Sequence, residues 1–400
     1  LEESAVSDEF PRESNAKRKM LLDAVAAIGP TLAASGPKSE ELGTLAPDAV
    51  KALRDAGIFR LKLVAELGGA EADPLTEMLI LEEVAYHDLT SAWCTMVGAT
   101  AIASLGTFLP QSGLDKVFKG RNIPTAAISF FPAGQATRKN DGYRVNGRWR
   151  FNSGIRHAEW VLGGTVVQDS DNGNGGPIVM FSAFPAKDVT LYDNWGGVVG
   201  LRGTGSCDFS VHDYDLPEDQ TFVWDLLKPQ PKRGGPSYRL PPFSYVAKEH
   251  GSVALGAARR ALDELVKIAT TTRGTFRSSK LDERQVVHRF IGEADLKLRA
   301  ARALMHERYE QLWRKVNAGE MPDGPDIADV RAICVYATDA AIEIATMAYH
   351  FAGNTGLHHP HVIGRLLRDL NTAGIHQVMS DTAYENHGKY RLGLQADPLA

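Results

Sequence analysis

Two side chains in this 400-residue chain offer the groups a small-molecule enzyme needs: a proton donor for neutral pH and a strand-end hydroxyl. His376 closes the run Asn371-Thr372-Ala373-Gly374-Ile375-His376, just after Arg368-Asp369. An imidazole titrates near neutrality, so it can donate to an oxygen atom or exchange a proton. Ser153, in Asn152-Ser153-Gly154, puts a hydroxyl and an uncrowded backbone at an edge that could meet a flat ligand. His157 comes four residues later and has a weaker claim, with a structural role as its alternative. Arg273, in Arg273-Gly274-Thr275-Phe276, carries a permanent charge and a fork able to make bidentate contacts, and by itself reads as a surface arginine at a helix end. The glycines of Ala352-Gly353-Asn354-Thr355-Gly356 permit close backbone approach, though they also simply end a helix. His358-His359-Pro360-His361 reads as a solvated loop, and no metal is expected. Proline breaks the i, i+4 geometry, and no carboxylate or cysteine in the segment completes a shell.

These residues need elements to hold them. Residues 17 to 120 read as helical, with Met20, Leu21, Val25 and Ile28 on one face. Gly29-Pro30 closes that first helix, and 33–43 reads as a linker. The stretch 91–108 is almost wholly apolar, which predicts a buried helix. From Ile123-Pro124 onward come short alternating runs at 125–129, 143–145, 160–167, 178–185 and 207–211, separated by turn clusters. Asn146-Gly147 is a hairpin signal, because both residues tolerate positive φ. An antiparallel β domain is the expectation, with 228–242 as a linker or surface excursion. Long helices then return over about 245–272, 282–318, 325–352 and 369–386, an up-down bundle. The fold class is α+β, with segregated helices and strands. Its expected parts are an N-terminal helical domain (1–122), a central β domain (123–243) and a C-terminal four-helix bundle (244–400).

Composition narrows the function classes. Lys plus Arg number 44 against 49 Asp plus Glu, a net charge of -5, so nothing electrostatic favours nucleic acid or an anionic membrane. Cys94, Cys207 and Cys334 are far apart, a set that fits a reducing compartment rather than a disulfide framework. No run of about 18 apolar residues is evident, and the charged first twenty residues lack an apolar signal core. The expectation is a soluble cytoplasmic protein.

The strand Gly147-Arg148-Trp149-Arg150-Phe151-Asn152-Ser153-Gly154, running on to His157-Ala158-Glu159-Trp160, resembles the flavin-side strand of the acyl-CoA dehydrogenase superfamily. It is most similar to the two-component flavin-dependent monooxygenase branch. Ala56-Gly57-Ile58-Phe59-Arg60, Glu66-Leu67-Gly68-Gly69, Gly200-Leu201-Arg202-Gly203-Thr204-Gly205-Ser206 and Arg365-Leu366-Leu367-Arg368-Asp369 arrive in the family's order. The resemblance implies that Ser129, Phe130, Trp149 and Phe151 line a flavin (FMN or FAD). It puts Ser153 at the flavin N5 edge and His376 facing C4a. Arg273, Phe276 and Gln285 match the superfamily's phosphate-binding element, often supplied by a neighbouring subunit, and Gly353-Asn354 its cofactor loop. Trp93 and Met96, with His157, would bound the substrate, although the first two equally suit the core.

The resemblance further implies an oxygenase that receives reduced flavin from a separate reductase, since no nicotinamide fingerprint is present. It would add O2 at C4a and oxygenate an aromatic or heteroaromatic molecule from the hydroperoxide, as a homotetramer. One departure bears on substrate: relatives that hydroxylate phenols carry a histidine on the buried helix, where this chain has Thr100-Ala101-Ile102. The rivals are an acyl-CoA dehydrogenase with Glu385 as base, an N-oxygenase of the same fold, and a flavin-free scaffold.

Overall fold

The computed structural model describes residues 9–120, 123–171, 173, 176–223, 225, 228–271 and 280–397. Helices α1 (Ser14–Leu42), α2 (Pro47–Asp55), α3 (Pro74–His87), α4 (Leu89–Phe108) and α5 (Gln111–Val117) come first. Strands β1 (Ala126–Lys139), β2 (Gly142–Asn152), β3 (Trp160–Val167), β4 (Ile178–Pro185), β5 (Thr190–Leu191), β6 (Cys207–Pro217) and β7 (Thr221–Val223) come next. The chain ends with α6 (Pro242–Thr271), α7 (Gln285–Asn317), α8 (Gly324–Ala352), α9 (Asn354–Leu357), α10 (Val362–Gly374) and α11 (Thr382–Arg391). The helix–sheet–helix order is the α+β arrangement read from the sequence.

Helix α1 does not stop at Gly29-Pro30. It runs through Pro30 and Pro37 to a left-handed cap at Gly43, and no linker occupies 33–43. An internal proline costs a helix roughly 3 kcal/mol, so packing must offset it. Leu21, Val25, Gly29, Leu32, Gly36 and Ser39 form one continuous buried face. A Cβ on Gly29 would stand 2.4 Å from the His87 ring, and one on Gly36 2.4 Å from the Arg365 guanidinium. The glycines therefore let α1 settle directly onto α3 and α10.

Every residue of α4 except Val97 is buried, as its composition predicts. By length and composition alone, however, α1, α4 and α8 are each apolar enough to cross a membrane, contrary to the sequence expectation. The fold buries 94% of the apolar stretch of α4 and 61% of that of α8, so core packing accounts for those two.

The strands form one seven-stranded sheet in the order β5-β6-β2-β1-β3-β4-β7, and it is mixed rather than antiparallel. β1 and β3 run parallel, Ala126 beside Trp160 and Ile128 beside Leu162. The β1–β2 hairpin turns at Asn140-Asp141, with Lys139 opposite Gly142. Asn146-Gly147 instead lies inside β2, where the pairing with β6 shifts register. Its glycine serves a different need. A Cβ on Gly134, Gly147 or Gly163 would fall 2.3, 2.7 or 2.4 Å from the Trp149 indole. These three glycines cradle a fully buried ring that donates from Nε1 to Gly164 O at 2.6 Å and stacks on Phe209 at 4.8 Å. Gly163→Ala is expected to cost about 1–3 kcal/mol, because neither backbone nor indole can give way. A chemical denaturation midpoint unchanged from the parent would show that the cradle is loose.

α6, α7, α8 and α10 make the C-terminal bundle, and α3 packs along α6 to join the two helical regions. Between α3, α4 and α6 lies a buried network of two lysines and two glutamates. Lys62 pairs with Glu249 and also donates to Thr100 Oγ1 at 2.7 Å. Lys248 Nζ lies 2.8 Å from Glu77 Oε2. The Tyr245 ring receives both ammonium groups, 4.0 Å from Lys62 Nζ and 3.7 Å from Lys248 Nζ. Burial pushes the Lys62 pKa down and that of Glu77 up, and the opposite charges pull each back. The segment read as a linker supplies another anchor, since buried Tyr238 donates to Lys62 O at 2.6 Å.

The last long helix is broken. α10 ends at Gly374, a 3-10 turn spans Gln377–Met379, and α11 begins at Thr382. His376 stands in that break as N-cap of the turn, not within a helix as the sequence reading had it.

Candidate active site

β2 ends at Asn152, and Ser153 continues from it into a buried corner facing α4. There Trp93 Nε1 donates to Ser153 Oγ at 3.0 Å. Ser153 Oγ is 2.7 Å from Ser206 Oγ, which is 2.6 Å from Thr204 Oγ1, and Thr204 Oγ1 donates to Leu201 O at 2.7 Å. Each hydroxyl carries one proton, so the last bond sets the direction of the others. Thr204 gives its proton to a carbonyl, which can only accept. Ser206 must then donate to Thr204, and Ser153 to Ser206. Ser153 has no proton left for a ligand. It is wired as an acceptor.

The loop carrying this chain is tied down at both ends. Gly154 N donates to Thr204 O at 2.9 Å. Leu201, at φ 51, donates its amide to Asp369 Oδ1 at 2.6 Å. Burial pushes the Asp369 carboxyl up to about 7, against the pull of that amide and of Arg365. A Cβ on Gly200 would lie 2.2 Å from Arg368 O, so only glycine lets the loop meet α10.

Three rings meet beside Ser153. Trp93 stands edge-on to His376 at 5.6 Å and to His250 at 5.2 Å, and the two imidazoles are 4.6 Å apart. Their tautomers are set by their backbone partners. His376 Nδ1 accepts from Val378 N at 3.3 Å, which leaves the proton on Nε2. His250 Nδ1 faces Val246 O at 3.0 Å and must carry the proton itself. Both rings are neutral at physiological pH. Desolvation, and then the other imidazole, pushes His376 down to about 3. Desolvation pushes His250 down to about 4. His376 leaves part of its ring open to solvent although protein atoms crowd round it. His250 is buried, and its Nε2 has no hydrogen-bond partner.

The fold thus brings together Trp93, Ser153 and His376, which the sequence singled out, and adds His250, Ser206 and Thr204. Other candidates fall elsewhere. Trp149 is fully buried in its glycine cradle and has no surface for a cofactor, which corrects its assignment. Met96 is buried too and exposes nothing to a substrate here. His157 packs against Phe59 at 6.0 Å and behind Gly154, outside the three-ring cluster. Burial and then the Arg54 charge push it down to about 4. Ser129 is buried and donates to Arg150 O at 3.3 Å, while Phe130 packs edge-on to Phe181 at 5.8 Å. Phe151 is different: at φ 62, just before Ser153, it leaves 59% of its surface open.

Gln285 begins α7, Gly353 caps α8 and Asn354 begins α9; all three are exposed. Gly353 and Asn354 lie far from His376. Gly374 and Met379, which bracket His376, touch α8 at Ile342 and Thr338. Gly353 is 11 to 15 residues further along that helix, about 20 Å at 1.5 Å per residue. Arg273 and Phe276 lie outside the described residues.

Residues 15–108 match the N-terminal domain of acyl-CoA dehydrogenases and residues 249–381 the C-terminal domain, together more than half of the chain. The chain is 28% identical to indole-3-acetate monooxygenase of Pseudomonas putida, over 88% of each protein. It is also 28% identical to the oxygenase subunit HsaA, a flavin-dependent monooxygenase of Rhodococcus jostii strain RHA1, over 92% of this chain and 97% of that one. The structure of XiaF from Streptomyces, solved with FADH2 and glycerol, superposes with a TM-score of 0.85 at 23% identity, covering 97% of this chain and 98% of that one. This chain belongs to the acyl-CoA dehydrogenase superfamily, in its flavin-dependent monooxygenase branch.

A member of that branch needs a place for a flat ring with one polar edge, and the residues here fit one. Phe151 and Ile375, close in the chain to Ser153 and His376, present open apolar surface, while His376 Nε2 is a donor and Ser153 Oγ an acceptor. The dehydrogenase reading fits less well. Glu385 lies exposed in the first turn of α11, beyond the break that holds His376. His250, Ser206 and Thr204 escaped the sequence reading for a common reason. The first looks like one more buried position on a long helix, and the other two lie within a landmark whose hydroxyls gain meaning only when Ser153 is packed on them.

Proposed function

We propose that this enzyme is the oxygenase component of a two-component system. In this reading it receives reduced FMN or FAD from a separate reductase and oxygenates an aromatic or heteroaromatic small molecule with O2. The observation that carries the reading is the convergence of Ser153 and His376 on Trp93, from β2 and from the break after α10. Relatives with aromatic substrates in their names support the substrate class, among them indole-3-acetate monooxygenase and a dibenzothiophene monooxygenase from Paenibacillus. Reduced flavin, when bound, supplies two electrons, so that one atom of O2 enters the substrate and the other leaves as water. The protein's part is placement. His376 Nε2–H donates to an oxygen atom at the flavin edge while remaining neutral, and Ser153 accepts from an N–H. Phe151 and Ile375 cover the ring faces and keep water away. The test is aerobic turnover with reduced FMN or FAD and a panel of aromatic compounds. A product bearing one new oxygen is expected. Hydrogen peroxide alone from every aromatic, or an acyl-CoA that bleaches tightly bound oxidised FAD, would overturn the reading.

Within this reading the flavin phosphate is held from a second subunit. Gly353 and Asn354 are too far from His376 to serve the same flavin ring and its phosphate, so a homotetramer in which they, with Gln285, serve a neighbour's site is the arrangement we infer. Arg273 is assigned to that phosphate by likeness to the family element. Arg273→Ala should then weaken reduced-flavin binding by about 1.5–3 kcal/mol, the range for a hydrogen bond to a charged group. Oxygenation at saturating flavin should barely change. Anaerobic titration checks the affinity and light scattering the assembly, and an unchanged affinity would place the phosphate elsewhere.

A further inference from the structure

Asp369 is buried on α10, the helix whose end leads two residues on to His376. Its Oδ1 accepts the Leu201 amide at 2.6 Å. Leu201 has φ 51, a left-handed conformation unfavourable for a residue with a Cβ. Without the carboxyl its buried amide would be unpaired as well, and the residue would have two reasons to relax. Its carbonyl is the hub of the loop. Thr204 Oγ1 donates to it at 2.7 Å, Trp195 Nε1 at 3.0 Å and the Thr204 amide at 3.1 Å. The first of these bonds fixes the proton order of Thr204, Ser206 and Ser153. Amide and carbonyl belong to one residue, so a change in its φ turns the carbonyl away from Thr204. Thr204 could then give its proton to Ser206, Ser206 to Ser153, and Ser153 would be left pointing its own at a ligand.

We propose that Asp369 is a positioning residue of the flavin site: by holding Leu201 it keeps Ser153 an acceptor, and so favours a ring that brings an N–H over one that brings a lone pair. This rests on the oxygenase reading and deepens it by naming what sets the redox state the site prefers. Reduced flavin has a hydrogen on the ring nitrogen where oxidised flavin has a bare lone pair. Ser153, its proton committed to Ser206, pairs with the first and opposes the second. The charged groups facing Asp369 are Arg365 of its own helix, Asp88 at the head of α4, and Glu40 of α1, which is itself bonded to Arg368 and 3.2 Å from His359. Burial, with Asp88 and Glu40, raises the Asp369 carboxyl to about 7 against the pull of the Leu201 amide and Arg365. It gains a proton as pH falls through that value, and a neutral carboxyl accepts less strongly than a carboxylate. The preference for reduced flavin therefore strengthens as pH rises.

The readout is the ratio of the dissociation constants of oxidised and reduced FMN, titrated without oxygen against the full-length protein. Asp369→Ala and Asp369→Asn are compared with the parent, each alone and combined with Ser153→Ala. Asp369→Ala is expected to lower the ratio about five- to tenfold, the value of one net hydrogen bond. Combined with Ser153→Ala it should change the ratio little further, because the effect runs through that hydroxyl. Asp369→Asn keeps an oxygen for Leu201 but no charge, so it should retain part of the preference and hold it level with pH. The parent ratio should rise about two- to threefold between about pH 6 and about pH 8, as a neutral acceptor becomes a charged one. Comparing those two profiles cancels the titration of the flavin itself, and it decides the matter if the alanine protein does not fold. An alanine variant with the parent's ratio, or one whose ratio falls equally with and without Ser153, overturns the proposal. So does an asparagine variant as impaired as the alanine one, or a parent profile as level as that of Asp369→Asn. The oxygenase reading fails by a different result, no oxygen entering any aromatic compound, whatever the binding ratios.

Discussion

Replacing His376 with alanine is expected to leave folding and reduced-flavin binding intact and to divert oxygen consumption towards hydrogen peroxide. The imidazole caps a short turn through one 3.3 Å bond and touches Trp93 and His250, so little of the fold depends on it. What the variant loses is a neutral Nε2–H donor at the edge of the proposed flavin site. With flavin and substrate covering the exposed ring, hydrogen bonds there would act in a medium of low dielectric, where they are stronger than in water. A bond of about 1.5–3 kcal/mol converts to a change of roughly ten- to a hundredfold in partitioning between oxygenated product and peroxide. The measurement is the ratio of peroxide to product, made in parallel with Glu385→Gln. Under the oxygenase reading Glu385→Gln stays coupled, because its carboxylate is on an exposed turn of α11. A dehydrogenase predicts the reverse, with turnover abolished by Glu385→Gln and barely altered by His376→Ala. Full coupling in His376→Ala would remove the central assignment.

A second large effect is expected from Lys62→Met. Lys62 and Glu249 are fully buried, and Lys248 and Glu77 complete a network in which two positive charges balance two negative ones. Removing one ammonium leaves an uncompensated carboxylate in the interior, a change worth about 3–5 kcal/mol. Lys248 Nζ also bridges Glu249 at 3.7 Å, but its single charge is shared with Glu77 at 2.8 Å and cannot balance two carboxylates. Replacing Lys62 and Glu249 together by apolar residues of similar volume should recover most of the loss, since the cost arises from the unpaired charge rather than from the missing attraction. Denaturant unfolding of the single and double variants checks both statements. A single variant within about 1 kcal/mol of the parent would mean that water reaches the network.

Much of the fold was legible because local patterns and tertiary packing agree. The apolar run of α4 is buried, the three long helices α6, α7 and α8 start and stop near their sequence signals, and strands occupy the expected stretch. The reading failed where packing overrides a local signal. Pro30 and Pro37 mark breaks in any isolated helix, yet α1 continues because its glycines seat it on His87 and Arg365. Asn146-Gly147 is a good turn in a short peptide. In the sheet its glycine is needed under Trp149, and the chain reverses six residues earlier at Asn140-Asp141. Parallel pairing of β1 with β3 joins strands distant in the chain, which no alternation of residue types encodes.

Residue type and local motif suffice to mark the helix–sheet–helix order, the family, and two of the polar groups at the site, Ser153 and His376. What those groups can do is settled by packing, because donor and acceptor roles depend on where each proton is committed. Ser153 is an acceptor because Thr204, some fifty residues away in the chain, gives its proton to Leu201, and His376 is a donor because Val378 fills its other nitrogen. The same holds for His250, whose open lone pair exists only because α6 claims Nδ1 while Trp93 gives its own N–H to Ser153. A hydrogen bond is a relation between two groups, and a chain read one residue at a time shows only one of them.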